Sequence, residues 1–123
     1  MAAWKSFDRG KDREASMKMK QIYIGHSSGI DYKKEIYEPI RKSKLNSKYE
    51  FILPHEKSEK PFNSKEGLKN CSAMIAEISY PSISLGIEVG WADLYKVPII
   101  FVYKKGTKIS QALKVVSSNF IEY

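Results

Sequence analysis

Apolar positions along the chain form two kinds of segment, short β-like runs and stretches with helical spacing. The β-like runs are QIYIG, YEFILP, CSAMIAEIS, VPIIFVY and NFIEY. The fourth is continuous and β-branched, as expected for a strand covered on both faces. Between the first two runs, apolar residues recur at spacings of three and four, which predicts a helix with one apolar face. Its stripe consists of Tyr32, Ile36, Tyr37 and Ile40.

Helices are predicted between the other runs as well. One is expected around 65–70, and another from Ser110 to Val116. The segment SLGIEVGWADLYK predicts a third helix, with Ser82 or Ser84 as its N-cap, and its weakly periodic apolar residues indicate burial on more than one side. Because parallel strands need crossover connections, this order predicts an α/β fold. We expect a single-domain, flavodoxin-like or Rossmann-like three-layer sandwich of about five parallel strands.

The beginning of the chain has a different character. Residues 1–19 are polar, and their apolar residues recur with neither the helical nor the strand period. We interpret them as a disordered leader before one domain at 20–123. They contain no signal-peptide h-region, and the longest apolar run, VPIIFV, is too short to span a bilayer. The single cysteine, Cys71, excludes an intrachain disulfide. We therefore expect a soluble, cytoplasmic protein with no membrane partner.

The net charge of +7 raises the question of nucleic acid, because Lys and Arg neutralise phosphates. Only three of the 21 basic residues are Arg, the side chain best suited to bidentate contacts. We therefore interpret the charge as a solvated, Lys-rich surface and do not expect nucleic acid as a partner.

Four loops follow the carboxyl ends of the predicted strands, where open α/β sheets bind ligands. They are GHSSGID, PHEKSEKPFN, SYPSIS and YKKGTKIS. Three combine hydroxyls with glycine or a helix N-terminus, groups that bind anions, so a phosphate or sugar ligand is predicted. His26, in the first loop, is either an acid–base residue or a hydrogen-bonded structural one.

Glu88 is the carboxylate of greatest interest. It lies in the opening turns of a predicted helix, between Gly86 and Gly90, and shares a face with largely apolar groups. This environment is typical of partly desolvated catalytic carboxylates. The alternative is an exposed glutamate favoured by the helix dipole, and spacing alone leaves both open.

The string AEISYPSISLGIEVGWA resembles the signature of nucleoside 2-deoxyribosyltransferases and of relatives that hydrolyse deoxynucleoside 5'-monophosphates. The motif falls on Glu77, Pro81, Ser82, Gly86, Glu88, Gly90 and Ala92. The likeness extends from IYIGHSSG to VPIIFVY and the KGTKIS loop, which is nearly everything after residue 19.

The resemblance implies an enzyme in which Glu88 attacks the anomeric carbon of a nucleoside or nucleotide and forms a glycosyl-enzyme intermediate, without metal or organic cofactor. Ser110 resembles the family serine that reaches a 5'-phosphate from a neighbouring subunit, which implies a homo-oligomer, a dimer or larger, with shared active sites. The substrate-binding residues implied are Tyr23, Gly25, His26, Ser27, Ser28, Gly29, Ser64, Ser82, Gly86 and Ser110.

The sequence departs from the family at one position. The family usually has an Asp before the third strand, where it positions the sugar or protonates the leaving base, and Ser64 stands there. Glu66 is the residue we assign as its catalytic substitute. Two alternatives follow: a nucleotide-binding module with impaired catalysis, or a glycohydrolase of an NAD-like dinucleotide.

Overall fold

The five strands of the computed structural model, which describes residues 19–58, 60 and 62–123, form one parallel sheet. They are β1 (Gln21–His26), β2 (Glu50–Ile52), β3 (Ala73–Glu77), β4 (Ile99–Tyr103) and β5 (Phe120–Glu122). All neighbours are parallel, in the order β2-β1-β3-β4-β5, which is the flavodoxin-like order. The predicted fold class is confirmed. The leader expected over residues 1–19 lies, except for Met19, outside the described residues.

Four helices connect the strands in the described part of the chain. Helix α1 starts as a π-helical segment, Lys33–Tyr37, and continues as an α-helix, Glu38–Lys42. Helices α2 (Ser64–Lys69), α3 (Ile83–Leu94) and α4 (Leu113–Val116) follow, and a 3-10 turn spans Lys44–Ser47. Among the described residues, no helix has both the length and the hydropathy needed to cross a membrane.

The sheet carries an apolar cluster on each face, because side chains alternate along its strands. Ile24 and Phe51 pack with Tyr37 of α1 on one face. Tyr23 and Phe101 face the opposite way, into a cluster that includes Val89 of α3. These two clusters and the sheet between them give the three layers.

Helix α3 differs from the sequence-based expectation in one respect. Leu85, Val89 and Ala92 are buried against the sheet, whereas Ile87 and Leu94 are exposed. Burial on more than one side is therefore not found within one chain, since the irregular apolar pattern combines a buried face with an exposed one.

The N-cap of α3 is Ser82, which has extended backbone angles and accepts a hydrogen bond from the Leu85 N–H at 3.2 Å. We expect Ser82→Ala to lower the free energy of unfolding by about 1 kcal/mol, because that amide loses its acceptor. Urea denaturation followed by circular dichroism measures the change. Ser84→Ala is the control, because Ser84 is exposed and caps no amide, although its Oγ lies 3.2 Å from Ser82 Oγ. A smaller loss is expected in Ser84→Ala, and an equal loss in both variants would contradict the assignment.

Candidate active site

Three side-chain oxygens from three elements meet on the α3 side of the sheet. Tyr23 extends from β1 and is fully buried, Ser64 begins α2, and Glu88 lies in the second turn of α3. Ser64 Oγ donates to Glu88 Oε2 at 2.6 Å, and the Tyr23 hydroxyl lies 2.8 Å from the same oxygen. The Tyr23 hydroxyl is also 2.7 Å from Ser64 Oγ. We call this arrangement the oxygen triangle.

Two protons serve the three contacts of the triangle, because each hydroxyl has one. Ser64 donates to Glu88, and the Tyr23 proton is divided between Glu88 and Ser64. Burial, and then the nearby charge of Glu88, raises the pKa of Tyr23 above its usual value, so this hydroxyl stays a donor. The arrangement therefore fixes Oε2 with two donors.

The other carboxylate oxygen, Glu88 Oε1, accepts no hydrogen bond from any described residue. It lies over Gly25, where an added Cβ would be 3.5 Å from Oε1 and only 2.6 Å from Met74 Cε. The contact with Glu88 would be an ordinary one, whereas Met74 and Leu85, whose Cδ1 would be 2.9 Å away, would have to shift. Glycine at this position therefore chiefly accommodates the close packing of Met74 and Leu85 against β1.

The triangle borders a cavity of about 380 Å³ beyond the carboxyl end of β1, next to the point where strand order reverses. The lining residues are His26, Pro54, His55, Phe62, Ser64, Ser84, Ile87, Glu88 and Trp91. Four of the nine carry aromatic rings, so the cavity can hold a planar ring beside a carboxylate.

His26 uses both ring nitrogens within the protein. Nδ1 lies 3.0 Å from the Ser27 carbonyl oxygen, which can only accept, so Nδ1 carries the proton and Nε2 accepts from the Tyr37 hydroxyl at 2.7 Å. The ring stacks on Tyr32 at 4.4 Å. Of the two interpretations of His26, these contacts favour a hydrogen-bonded structural residue that offers only its ring surface to the cavity.

Burial lowers the pKa of His26 below its ordinary value of 6.5. At a pH between the lowered pKa of the folded state and the ordinary 6.5 of the unfolded state, the unfolded chain binds more protons than the folded one. The folded state therefore loses stability as the pH falls below 6.5. We expect the free energy of unfolding to decline from pH 7.5 to 5.5 and to decline less in His26→Gln. Urea denaturation at a series of pH values measures this, and identical slopes in the two proteins would contradict it.

The sequence patterns did not single out His55, Phe62 or Trp91 as site residues. His55 Nδ1 is buried without a hydrogen-bond partner among the described residues, and its ring lies 5.9 Å from that of His26. Phe62 follows a long polar loop and its ring is 6.4 Å from that of Tyr23. An aromatic residue late in a polar loop was the available signal for Phe62, whereas Trp91 was indistinguishable from a core residue.

The rest of the predicted first loop shapes the backbone. Ser27 is buried, and its Oγ accepts the Gly29 N–H at 2.9 Å. A Cβ on Gly29 would lie 3.4 Å from Tyr80 Cβ, so this turn packs closely against the loop after β3. Ser28 is exposed. None of these three residues lines the Glu88 cavity.

A second cavity, of about 250 Å³, brings together three other predicted residues, Ser82, Gly86 and Ser110. Lys108 also lines it. It lies on a different flank of α3 from the Glu88 cavity, because Leu85, Gly86 and Val89 line this cavity, whereas Ser84, Ile87 and Trp91 line the other. Within one chain, Ser110 is therefore separated from Glu88.

Two further carboxylates lie away from the triangle. The Glu66 side chain is 65% exposed and lies 3.9 Å from Lys69 Nζ. The structure does not bring it to Glu88, and its role as an acid stays a prediction. Glu77 is buried on the α1 side, where it accepts from the Ser79 N–H and hydroxyl and from the Tyr123 hydroxyl. It lines a separate apolar groove of about 300 Å³ beside α1.

In the part of the chain that the structure describes, no group of three or more His, Cys, Asp or Glu side chains is arranged to hold a metal ion. The oxygen triangle and the cavity beside it offer a carboxylate that is held by two hydroxyls and faces aromatic side chains.

No protein-family model matches the chain, and no curated protein is significantly similar to it in sequence. Among solved structures, the chain is similar to the CMP N-glycosidase BcmB of Clostridium botulinum, with a TM-score of 0.61 and 22% sequence identity. The match covers 85% of this chain and 89% of the glycosidase. At this identity the likeness is one of fold, and the two proteins share their α/β architecture over nearly the whole domain.

Proposed function

We propose that this protein is an enzyme that cleaves or transfers the N-glycosidic bond of a nucleoside or nucleoside 5'-monophosphate, with Glu88 as the nucleophile. The oxygen triangle carries the proposal, because it fixes one carboxylate oxygen and leaves the other without a partner among the described residues. The aromatic cavity beside it suits a nucleobase. The shared fold with an N-glycosidase supports the same reaction class.

In the proposed mechanism, Glu88 Oε1 attacks the anomeric carbon while the carbon–nitrogen bond breaks and its electrons leave with the base. The sugar acquires oxocarbenium character, which the carboxylate stabilises before the glycosyl ester forms. Water or a second base then attacks the same carbon and releases the carboxylate. Tyr23 and Ser64 hold Oε2 throughout, so that Oε1 stays directed at the sugar.

The leaving base also has to be protonated. Among the described residues that line the cavity, Glu88 is the sole carboxylate, and the Ser64 hydroxyl donates to it. A serine hydroxyl is not an acid at neutral pH. We therefore expect a preference for substrates whose base departs without a carboxylic acid, and a nitrophenyl riboside, whose leaving group needs no proton, is a suitable probe.

The second cavity motivates the phosphate part of the proposal. Lys108, with the hydroxyls of Ser82 and Ser110, suits a phosphate group. Because this cavity lies on another flank of α3 from Glu88, a substrate bound at Glu88 would place its 5'-phosphate against Ser110 only if that serine came from a neighbouring subunit, as the family resemblance implies. Ser110→Ala is then expected to raise KM for monophosphates and to leave nucleosides unaffected.

One assay tests the reaction class. The protein is incubated with ribo- and deoxyribonucleosides, their 5'-monophosphates, NAD and the nitrophenyl riboside, and free base or nitrophenolate is followed by chromatography. Release from at least one nucleoside or nucleotide is expected. Release from NAD alone would favour the dinucleotide glycohydrolase.

Saturable nucleotide binding with no release from any compound would favour a nucleotide-binding module instead. The observation behind this second candidate is that Ser64 stands where an acid is expected. Calorimetric titration with the same panel distinguishes the two outcomes.

A further inference from the structure

The charge around the Glu88 cavity is of one sign. Glu88 is the sole Asp or Glu among the described residues that line it, and none of them is Lys or Arg, although the chain has 21 basic residues. Lys57 and Lys60 line a neighbouring cavity, which shares Pro54 and Phe62 with this one, and neither lines the Glu88 cavity. A ring bound beside Glu88 therefore meets a carboxylate with no competing lysine or arginine, which favours a positively charged ring.

The walls of the cavity suit a planar cation as well. Trp91 and Phe62 line it, and the faces of such rings attract cations, with Trp the most effective. His26 adds a neutral ring surface, because its Nδ1 carries the proton and its Nε2 accepts from the Tyr37 hydroxyl. Aromatic faces beside a carboxylate form the kind of site that recognises organic cations.

The bond-breaking step makes different demands on a neutral base and on a cationic one. When Glu88 Oε1 attacks a neutral nucleoside, the electrons of the carbon–nitrogen bond leave on the base as an anion, which has to take up a proton. Ser64 stands where an acid is expected, and its hydroxyl already donates to Glu88. When the base is a cation, the same electrons neutralise it, and it leaves as a neutral molecule without a proton transfer. The site thus lacks a group that the second reaction does not need.

The balance of charge in the step also favours a cationic base. A carboxylate and a cationic glycoside give a neutral glycosyl ester and a neutral base, so both charges disappear. Tyr23 and Ser64, which hold Oε2, are buried, and burial of charge away from water is costly. Loss of two charges is therefore favourable there, whereas formation of an anionic base is not. Water then attacks the ester at the anomeric carbon, the carboxylate leaves, and one proton passes to solvent.

We propose that this protein acts on nucleosides or nucleoside 5'-monophosphates whose base is a positively charged ring, a pyridinium or an N7-alkylated purine. The inference rests on the proposed N-glycosidic reaction and names its substrate class. Both rings share the necessary chemistry, a delocalised cation that becomes neutral when its bond to the sugar breaks. The cavity of about 380 Å³ lies near the lower end of the range for ligand sites, about 300–1,000 Å³, which suits a nucleoside better than a dinucleotide.

Two pairs of substrates provide the first test. 7-Methylguanosine differs from guanosine by one methyl group and one positive charge, and nicotinamide riboside differs from its dihydro form by a hydride and the same charge. Base release by the full chain is followed by chromatography. We expect kcat/KM to be at least about 100-fold higher for the charged member of a pair, because an acid, which only the neutral member needs, contributes about 10²–10⁴-fold. Comparison of the two charged compounds distinguishes a purine from a pyridinium.

A charge added to the cavity separates recognition from the greater reactivity that cationic bases have in water. Ile87 lines the cavity and is 48% exposed, so the fold should accept Ile87→Lys. We expect KM for the charged compounds to rise by about 10-fold or more through repulsion, and KM for the neutral nitrophenyl riboside to change by less than about 2-fold. Leu94→Lys is the matched control, because Leu94 is exposed on the same helix and does not line the cavity. Circular dichroism checks folding, and Ser84→Lys, at another exposed lining position, replaces Ile87→Lys if that variant is unfolded.

Ser64→Asp tests whether the missing acid selects the substrate. Two carboxyl groups that share a site hold one proton more tightly, so an aspartate beside Glu88 provides an acid for the leaving base. We expect release from guanosine to rise by about 10-fold or more relative to release from 7-methylguanosine. Each substrate is compared with itself in the wild-type protein, so its own reactivity cancels.

The outcomes separate this inference from the reaction class on which it rests. Release from guanosine as efficient as release from the charged compounds would overturn the cationic substrate class and leave N-glycosidic cleavage intact. The same conclusion would follow if Ile87→Lys raised KM equally for charged and neutral compounds, or if Ser64→Asp changed both guanosines equally. No release from any compound would overturn the reaction class and the inference together.

Discussion

Replacing Glu88 with Gln is expected to lower the rate of base release by roughly 10³-fold or more, because removal of a covalent nucleophile eliminates the main reaction path. The amide keeps the size of the side chain and one oxygen that can accept from Tyr23 or Ser64. The fold should therefore be retained. The rate is measured with saturating substrate by chromatography, and the melting temperature of the variant is compared with that of the wild-type protein.

Glu66→Gln is the matched control for this experiment. It makes the same chemical change at an exposed carboxylate on α2 whose side chain lies near Lys69. Unchanged activity in Glu66→Gln beside a large loss in Glu88→Gln is the expected result. Comparable losses in both variants would assign Glu66 the acid role that the sequence predicts. Full activity in Glu88→Gln would contradict the assignment of Glu88 as the nucleophile.

The strands and their parallel order could be predicted from the sequence because they depend on local pattern. VPIIFVY contains β4 and CSAMIAEIS contains β3, each bounded by turn-forming or polar residues. Crossover helices between them then required parallel pairing. Helix α3 was predicted for a similar reason, although which serine capped it could not be decided until Ser82 was found to accept the Leu85 N–H.

The composition of the site could be predicted only in part. The resemblance brought Tyr23, Ser64 and Glu88 forward as separate positions, and the structure joins their oxygens. The cavity around them depends on His55 and Phe62, which lie in a polar stretch of sequence that has no apolar period. His55 and Phe62 reach the cavity through tertiary contacts, and a sequence pattern carries no record of these.

Helix α3 shows why burial cannot be inferred from apolar spacing alone. Ile87 and Leu94 looked like core residues because their positions are apolar, yet both are exposed within one chain. An apolar side chain selected for an interface between subunits has the same sequence signature as one selected for a core.

The second large effect is expected at the two hydroxyls that hold Glu88. A hydrogen bond to a charged group contributes about 1.5–3 kcal/mol, so Tyr23→Phe and Ser64→Ala should each lower kcat/KM by roughly 10- to 100-fold. Most of the loss should fall on kcat, because the hydroxyls orient the nucleophile and do not bind substrate uniformly. Steady-state kinetics on both variants measures how much of the loss falls on kcat and how much on KM.

The double variant tests whether the triangle acts as one unit. Tyr23 and Ser64 contact the same oxygen, Oε2, and also each other at 2.7 Å, so removing one weakens the contribution of the other. The combined loss should therefore be smaller than the product of the two single losses. Strictly multiplicative losses would mean that the hydroxyls act independently. Because Tyr23 is fully buried, unfolding of each variant must be followed in parallel, and a loss of stability with unchanged kcat would assign these hydroxyls to the core and not to orientation of the nucleophile.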